Sequence, residues 1–559
     1  MKKYLIYIFI FILALGIRAY GIAQKDYLHY DEAFTFLCAN PSNLSPENEF
    51  LKVTWSKFLF KKDKDYSMQE FKHSLYSMPA KTTLRDLKTL RNNSIDKDHT
   101  NLYYSLFRVW NIGLNGEYKT SIVRATTLNL AFFCISFFFM FKLLNLIRPD
   151  DKKFISLGLL FAYLCSGTIS NTLFLREYAL SEMAFVVSTY FGVLICKKIA
   201  NDENMSFKEL FLSSVVFAIL GLSAYFSVIY DGFLCLAILC TCIYFKNYKS
   251  IKNLVIMVIL SNIIILLIYP AYYNGIFSNT YSQGFQNLMN SMSENKRYIF
   301  TSYVPHRIDG VNYSSYLFYT NIISIIALTL IAGFLFNKKT NLFFSKTSKI
   351  SPDFSPIFFI LLSMIAWNIF ILKLATPYPP TRFVSPSFPL LTLTYLILLY
   401  PLRNYLVILF SSLFLFCTCY PIFINPTSVS PVSVSNIHKG SVGFRKYPQD
   451  TIDKLVAEGI FEPAPQRSTG YILSPKYPVI VLGTTYFYPY YYFVYLGNKG
   501  TIRFTEKLPT SDFPYKKFFI IRYSIFNDAQ QEIWDSYNYK IPLTSQEVIT
   551  SQIYFVSLD

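Results

Sequence analysis

Stretches of about 17 to 24 mostly apolar residues recur along this 559-residue chain, and their length restricts the fold more than any other feature. A helix rises roughly 1.5 Å per residue and the hydrocarbon layer of a bilayer is roughly 30 Å thick, so each stretch is long enough to cross a membrane. Backbone in lipid finds no water and must satisfy its own hydrogen bonds, which makes these stretches helices rather than strands. The composition agrees, being 53% hydrophobic and 15% charged, against roughly 25% charged in an average soluble domain. The expected fold class is an α-helical polytopic membrane protein of about eleven spans, at 4–23, 120–147, 154–173, 177–197, 208–227, 228–247, 252–270, 315–337, 354–374, 386–402 and 404–423.

If the spans alternate, Lys2, Lys3, Arg148, Lys152, Lys153, Lys197, Lys198, Lys246, Lys249, Lys252, Lys338, Lys339, Lys346, Lys349 and Arg403 fall on one face. The positive-inside rule makes that face cytoplasmic, leaving chiefly Arg176 and Arg382 in the short turns of the other. Much of the net charge of +18 therefore sets topology, and a nucleic-acid partner is not expected. Lys2 and Lys3 before an apolar run also fit a cleaved signal peptide, but retention of the first span as an anchor is the expectation.

Three segments are then extracytoplasmic: a first loop at 24–119, a loop at about 271–314, and everything after about 424. In the first loop Met68, Phe71 and Leu75, then Leu84, Leu87 and Leu90, recur at helical spacing between charged residues. They read as amphipathic helices on the membrane surface or as a small bundle clear of lipid. Residues 424–442, rich in Ser, Val, Pro and Asn, read as a linker. Beyond it Tyr477–Gly483, Tyr490–Leu496 and Lys517–Tyr523 have strand character and Ala529–Tyr537 helix character, so 443–559 is expected as a small α/β domain separate from a membrane domain at 1–423. Most cysteines lie inside spans and Cys38 is alone in its loop, so no disulfide framework holds the external parts.

The acidic residues nearest a span end on the extracytoplasmic side are Asp31 and Glu32. A carboxylate there can act as general base on an acceptor hydroxyl within hydrogen-bond reach, although adjacent loop acids are commonly plain solvated surface. Asp63-Lys64-Asp65 and Asp96-Lys97-Asp98 have the Asp-x-Asp spacing that holds a divalent ion in nucleotide-sugar enzymes. Both fall in charged stretches read as helical, in a loop where nucleotide sugars are not expected, and no required metal or other cofactor is expected.

Several separated motifs resemble one family, in order and on one side of the membrane. Arg18-Ala19-Tyr20-Gly21 and Tyr30-Asp31-Glu32-Ala33 are similar to the end of the first span and the signature after it in the GT-C membrane glycosyltransferases. The resemblance is to the bacterial branch holding protein O-mannosyltransferase-like and lipid A aminoarabinose transferase-like enzymes. His99-Thr100-Asn101-Leu102-Tyr103-Tyr104, followed by Trp110 and Arg124, resembles the family's His-Pro-Pro-Leu-Tyr-Tyr segment without its two prolines. Arg176-Glu177-Tyr178-Ala179-Leu180 resembles its Arg-x-Tyr-Ala-Leu, with Phe174 where many relatives have a Glu. Pro380-Thr381-Arg382-Phe383-Val384-Ser385-Pro386 resembles its Pro-x-Arg-Tyr-x-x-Pro.

The resemblance implies a polyprenyl-phosphate sugar as donor, lipid A, another envelope glycan or a protein as acceptor, and an active site on the periplasmic side of a bacterial inner membrane. Asp31 would be the base, with Glu32 beside it, and attack opposite the leaving group would invert the anomeric carbon. His99, Tyr103, Arg124, Arg176, Glu177, Tyr178, His306, Arg307 and Arg382 are the candidates for holding the donor and its phosphate, guanidinium groups being suited to bidentate grip on phosphate oxygens. Snorkelling or lipid-headgroup contact is the plainer role for the arginines, and interface anchoring for Tyr178. A lipid or glycan transporter, a flippase and an oligosaccharide ligase are the competing functions.

Overall fold

A computed structural model describes residues 4–25, 28, 30–41, 63–92, 99–273, 385–399, 448–464, 470–482 and 499–558, the last range apart from 506, 511, 524–527, 538 and 544–550. The expected spans at 315–337, 354–374 and 404–423, the linker and the run Tyr490–Leu496 lie outside the described residues.

In chain order the elements are α1 (Leu5–Gln24), α2 (Tyr30–Ala39), β1 (Asp65–Ser67), α3 (Met68–Tyr76), β2 (Ser77–Met78), α4 (Thr83–Asn92), α5 (Leu102–Trp110), β3 (Leu114–Asn115) and α6 (Tyr118–Ile147). There follow α7 (Lys152–Leu164), α8 (Ser166–Leu173), α9 (Tyr178–Ala200), α10 (Phe207–Ser223), α11 (Ser227–Tyr244), α12 (Lys249–Ile268) and α13 (Phe388–Leu399). The C-terminal part holds α14 (Gln449–Ala457), β4 (Phe461–Ala464), β5 (Gly470–Leu473), β6 (Val479–Leu482), β7 (Thr501–Thr505), β8 (Lys517–Tyr523), α15 (Asp528–Asp535), β9 (Tyr539–Pro542) and β10 (Ser551–Ser557). These elements form two compact units, one of Met1–Gln24, Asp96–Tyr103 and Thr126–Ser433, the other of Lys25–Ile95, Tyr104–Ala125 and Val434–Asp559.

Five helices are long and apolar enough to cross a membrane: Leu5–Ala23, Lys119–Ile147, Tyr178–Ala200, Ser227–Tyr244 and Lys249–Ile268. The pair α7 and α8, bent by 53°, makes a sixth if it is one span. About eleven were expected; the described residues hold five or six, with α10 a 17-residue helix beside them. Within the helical unit α9 is central, 83% of its apolar window being buried, whereas only 17% of the α12 window is. The lipid-soluble exterior of α12, including Val255, Ile259, Ile263 and Leu267, is what a helix at the rim of such a bundle requires.

The bend between α7 and α8 has no proline. Cys165 adopts an extended conformation, φ −74° and ψ 142°, and the Thr168 hydroxyl donates to the Cys165 carbonyl at 3.1 Å to start the next helix. Breaking a helix leaves its last carbonyls without intrahelical donors, which is costly where water is absent. Arg18 on α1 supplies one: its guanidinium donates to the Tyr163 carbonyl at 2.9 Å and to the hydroxyls of Thr172 at 3.0 Å and Thr168 at 3.3 Å. It also lies 4.0 Å over the Phe133 ring. At Gly167, just past the bend, a Cβ would sit 2.2 Å from the Phe388 ring, so the glycine lets α13 pack close.

The second unit is built on a six-stranded sheet of order β1-β7-β6-β8-β10-β9. β6 is its centre, parallel to both β7 and β8 and buried at every position. Ile480, Leu482, Phe518, Ile520 and Val556 share one face and pack against Trp534 of α15 and the adjacent Tyr537. On the other face Tyr477 meets the rings of Phe519 and Phe555 at 6.0 and 5.0 Å.

This unit departs from the expected division into 1–423 and 443–559. The edge strand β1 comes from the first loop and pairs antiparallel with β7, Asp65 opposite Arg503 and Ser67 opposite Thr501. The following helix buries Met68, Phe71 and Leu75, with the Phe71 and Phe504 rings 5.8 Å apart. Met68, Phe71 and Leu75 thus form the buried face of α3, whereas in α4 Leu90 is buried and Leu84 is 83% exposed. Likewise Asp63-Lys64-Asp65 is not helical: Asp63 sits in a turn at φ 57° and Asp65 is on a strand. Asp65 faces Arg503 at 3.4 Å and accepts from the Tyr515 hydroxyl at 2.6 Å. A three-residue strand carries too little alternation to be read from sequence, and an edge strand is specified by its neighbour. The loop is further tied by a fully buried ion pair, Arg108 to Asp86 at 2.8 Å, with Arg108 also donating to the Pro79 carbonyl at 2.7 Å.

Candidate functional site

The turn between α8 and α9 presents the Arg176-Glu177-Tyr178 motif at one end of the helical unit. α8 stops at Phe174, whose extended backbone at φ −94° and ψ 121° leads into a bond from Arg176 N to the Phe174 carbonyl at 2.8 Å. Glu177 is the N-cap residue of α9, and its side chain makes no cap hydrogen bond to that helix. The turn is pinned from α6: Asn129 donates to the Phe174 carbonyl at 2.7 Å and accepts from the Tyr103 hydroxyl at 3.0 Å. Tyr103 is fully buried and so acts on the site through Asn129. The Tyr178 ring stacks on Phe174, centroids 5.9 Å apart.

His99 reaches the same turn. Its Nδ1 lies 2.7 Å from one Glu177 carboxylate oxygen, and Arg176 Nε lies 3.5 Å from the other. The next residue, Thr100, donates through its hydroxyl to the Leu222 carbonyl at the end of α10, which fixes the His99 segment on the bundle. Burial alone would raise the Glu177 carboxyl, but His99 and Arg176 outweigh it and hold it down at about 2. Glu177 thus sits between His99 and Arg176, which draw its buried carboxylate toward the ionised form.

The cluster opens on a narrow cleft of about 20 Å³, room for about one water molecule, lined by His99, Glu177, Tyr178 and Ser181, by Phe185 farther along α9, by residues 224–227 and by Pro386. Its polar end is the His99–Glu177 pair; Phe185, Tyr225 and Phe226 make the rest of the wall aromatic. Among the described residues no group of three or more His, Cys, Asp or Glu side chains is arranged to hold a metal ion.

Deeper in the unit lie two charges that span composition hid, Arg18 and Glu182, 0% and 2% exposed. Glu182 accepts from Asn171 Nδ2 at 2.7 Å, and the same amide donates to the Ser385 carbonyl at 3.1 Å. Arg18, expected only as part of a motif, is spent on the α7–α8 bend. Ser181 and Glu182 were not singled out from sequence; the signal available was polar residues one turn inside a span, directly after a charged turn.

Of the remaining candidates, Asp31, Glu32 and Arg124 belong to the second unit. Asp31 is in the first turn of α2. Glu32 is buried and ion-paired with Lys25. Arg124 donates to the carbonyls of Trp110 at 3.2 Å and Ile112 at 2.8 Å, while the Trp110 indole donates back to the Arg124 carbonyl at 3.2 Å. That reciprocal tie caps the end of α5, a structural use of the charge. His306, Arg307 and Arg382 lie outside the described residues, as does Asp96 of the second Asp-x-Asp.

Comparison of the chain with protein-family models, curated proteins and solved structures finds no match.

Proposed function

We propose that the chain is a membrane glycosyltransferase that moves a sugar from a polyprenyl-phosphate donor to a lipid, envelope glycan or protein acceptor at the outer face of a bacterial inner membrane. The observation that carries this reading is the convergence of two sequence-distant motifs, through His99 and Arg176-Glu177-Tyr178, on one cleft with a charged end and an aromatic wall. A lipid phosphate needs both: cations for its oxygens, and an apolar surface continuous with the bilayer for its chain.

In the proposed reaction the acceptor hydroxyl oxygen attacks the anomeric carbon while the bond from that carbon to the phosphate oxygen breaks. Asp31 takes the hydroxyl proton, and the electron pair of the broken bond leaves with the lipid phosphate. His99 and Arg176, with His306, Arg307 and Arg382, would stabilise the charge that gathers on the departing phosphate. Displacement from the opposite face inverts the anomeric configuration.

The test compares membranes carrying wild type, Asp31→Asn and His99→Ala for transfer of labelled sugar from a prenyl-phosphate donor. Each substitution is expected to lower transfer by about 10²-fold or more. Transfer by Asp31→Asn at the wild-type rate removes that residue from the chemistry, and no transfer by wild type from any prenyl-phosphate sugar ends the reading.

A second reading, a lipid or glycan transporter, is favoured by the bent pair α7 and α8 and by the buried charges Arg18 and Glu182, both features of transport proteins. Movement of a labelled glycolipid between the leaflets of proteoliposomes, with no new glycosidic bond formed, is the result that would favour it.

A further inference from the structure

Asp31 lies in the first turn of α2, so whatever fixes α2 also sets the candidate base. A ten-residue helix is marginal by itself and takes its place from packing. At its far end Asn40 donates to the Ser77 carbonyl at 2.7 Å, and the fully buried Phe36 stands edge-on to the rings of Tyr76 at 5.1 Å and Phe107 at 4.9 Å. Tyr76 and Ser77 close α3, which at nine residues is no more self-sufficient. That helix is seated on β7. Phe71 meets Phe504, both fully buried, and the backbone is tied on either side of β1: Asp63 N donates to the Phe504 carbonyl at 2.8 Å and Met68 N to the Gly500 carbonyl at 2.9 Å. A continuous run of contacts thus leads from a strand near the end of the chain to the helix after the first span, all within the second unit.

We propose that β7 is a positioning element for the transfer reaction: Phe504 holds α3 through Phe71, α3 holds α2, and α2 sets Asp31 against the acceptor hydroxyl. This rests on the glycosyltransferase reading above and gives the C-terminal domain a part in it. A general base works only within hydrogen-bond reach of its proton, and a misplacement of about 1 Å can cost about 10²-fold in rate. Loosening α3 therefore falls on the chemical step. His99 and Arg176, candidates for the donor phosphate, belong to the other unit, so donor binding should be little changed.

The experiment compares purified full-length variants in lipid nanodiscs by steady-state transfer from a prenyl-phosphate sugar and by amide exchange. Phe504→Ala is expected to raise exchange in α2 and to lower kcat about 10-fold or more, with KM for the donor within about 2-fold of wild type. Phe504→Leu, which keeps an apolar side chain against Phe71, should shift both in the same sense by about 2- to 4-fold, and it decides the matter where the alanine variant does not fold. Ser67 and Thr501 face each other with the ladder bond at the next pair, the closely spaced arrangement in which a disulfide fits. Adding Ser67→Cys/Thr501→Cys to the Phe504 variant and oxidising should therefore restore α2 protection and kcat together, and reduction should undo the recovery. Wild-type exchange in α2, or wild-type kcat, in the folded Phe504 variants overturns the assignment and leaves the enzyme reading intact. Exchange raised equally in β8 and β10, with no recovery by the disulfide, makes Phe504 a packing residue of the sheet and also overturns it. No transfer by wild type from any prenyl-phosphate sugar ends the glycosyltransferase reading, and the positioning role with it.

Discussion

Arg18→Met should be among the most damaging substitutions in the helical unit, and its size can be worked from what the guanidinium touches. The bond to the Ala14 carbonyl at 3.1 Å is local to α1 and survives wherever that helix does, so it cancels between folded and unfolded states. The Thr168 and Thr172 hydroxyls keep other partners, the carbonyls of Cys165 at 3.1 Å and Thr168 at 3.2 Å. Two losses remain. The Tyr163 carbonyl at the end of α7 loses its donor, at about 1–3 kcal/mol, and the contact with Phe133 adds about 1–2 kcal/mol. Relief of guanidinium desolvation offsets part of this, for a net cost of about 2–4 kcal/mol. The assay is reversible unfolding of the purified protein in mixed micelles, which leaves helices formed and reports their association. Arg18→Lys should fall between wild type and Met, since one ammonium cannot reach the Tyr163 carbonyl and the Thr172 hydroxyl together as the planar fork does. A stability of Arg18→Met within about 0.5 kcal/mol of wild type would refute the account.

Two further outcomes follow from ion pairs, one in each unit. The Glu177 carboxyl is held at about 2 against an ordinary 4.5, so between these values the unfolded chain binds more protons than the folded one; the stability contributed by the His99–Glu177–Arg176 cluster is complete above about pH 4.5 and lost as pH falls toward 2. Glu177→Gln should flatten that acid limb when unfolding midpoints are compared across pH, and an unchanged limb would mean the carboxylate is not held as described. In the second unit, Asp86→Leu leaves Arg108 buried beside the Pro79 carbonyl without its counter-charge, at about 3–5 kcal/mol. Amide exchange in α4 and α5 should rise, and Asp86→Leu/Arg108→Met should recover most of the protection; a double variant as labile as the single one contradicts the assignment.

Membrane-crossing helices were legible from sequence because hydropathy over about twenty residues is a local sum, decided by solvent rather than by neighbours. The same is true of Lys517–Tyr523, found as β8 with those bounds, and of the helix near Ala529–Tyr537, found at Asp528–Asp535. His99 and Arg176-Glu177-Tyr178 stood out as motifs, yet nothing local says that an imidazole would meet a carboxylate from a different helix turn. Arg18 was visible as a residue, while its work depends on a helix break at Cys165 that no proline announces. Asp65 looked like half of a metal motif and became an edge-strand residue because Arg503 and Tyr515, contributed by the far end of the chain, lie against it. Ser181 was lost in an apolar run, and only the arrangement of α9 beside residues 224–227 turns it into a cleft hydroxyl with nothing to bond. Composition and period decide what each segment is, since they act through water and lipid on one segment at a time. Which segments meet, and hence every charge pair and unmatched group in the candidate site, is decided by packing between residues far apart in the chain.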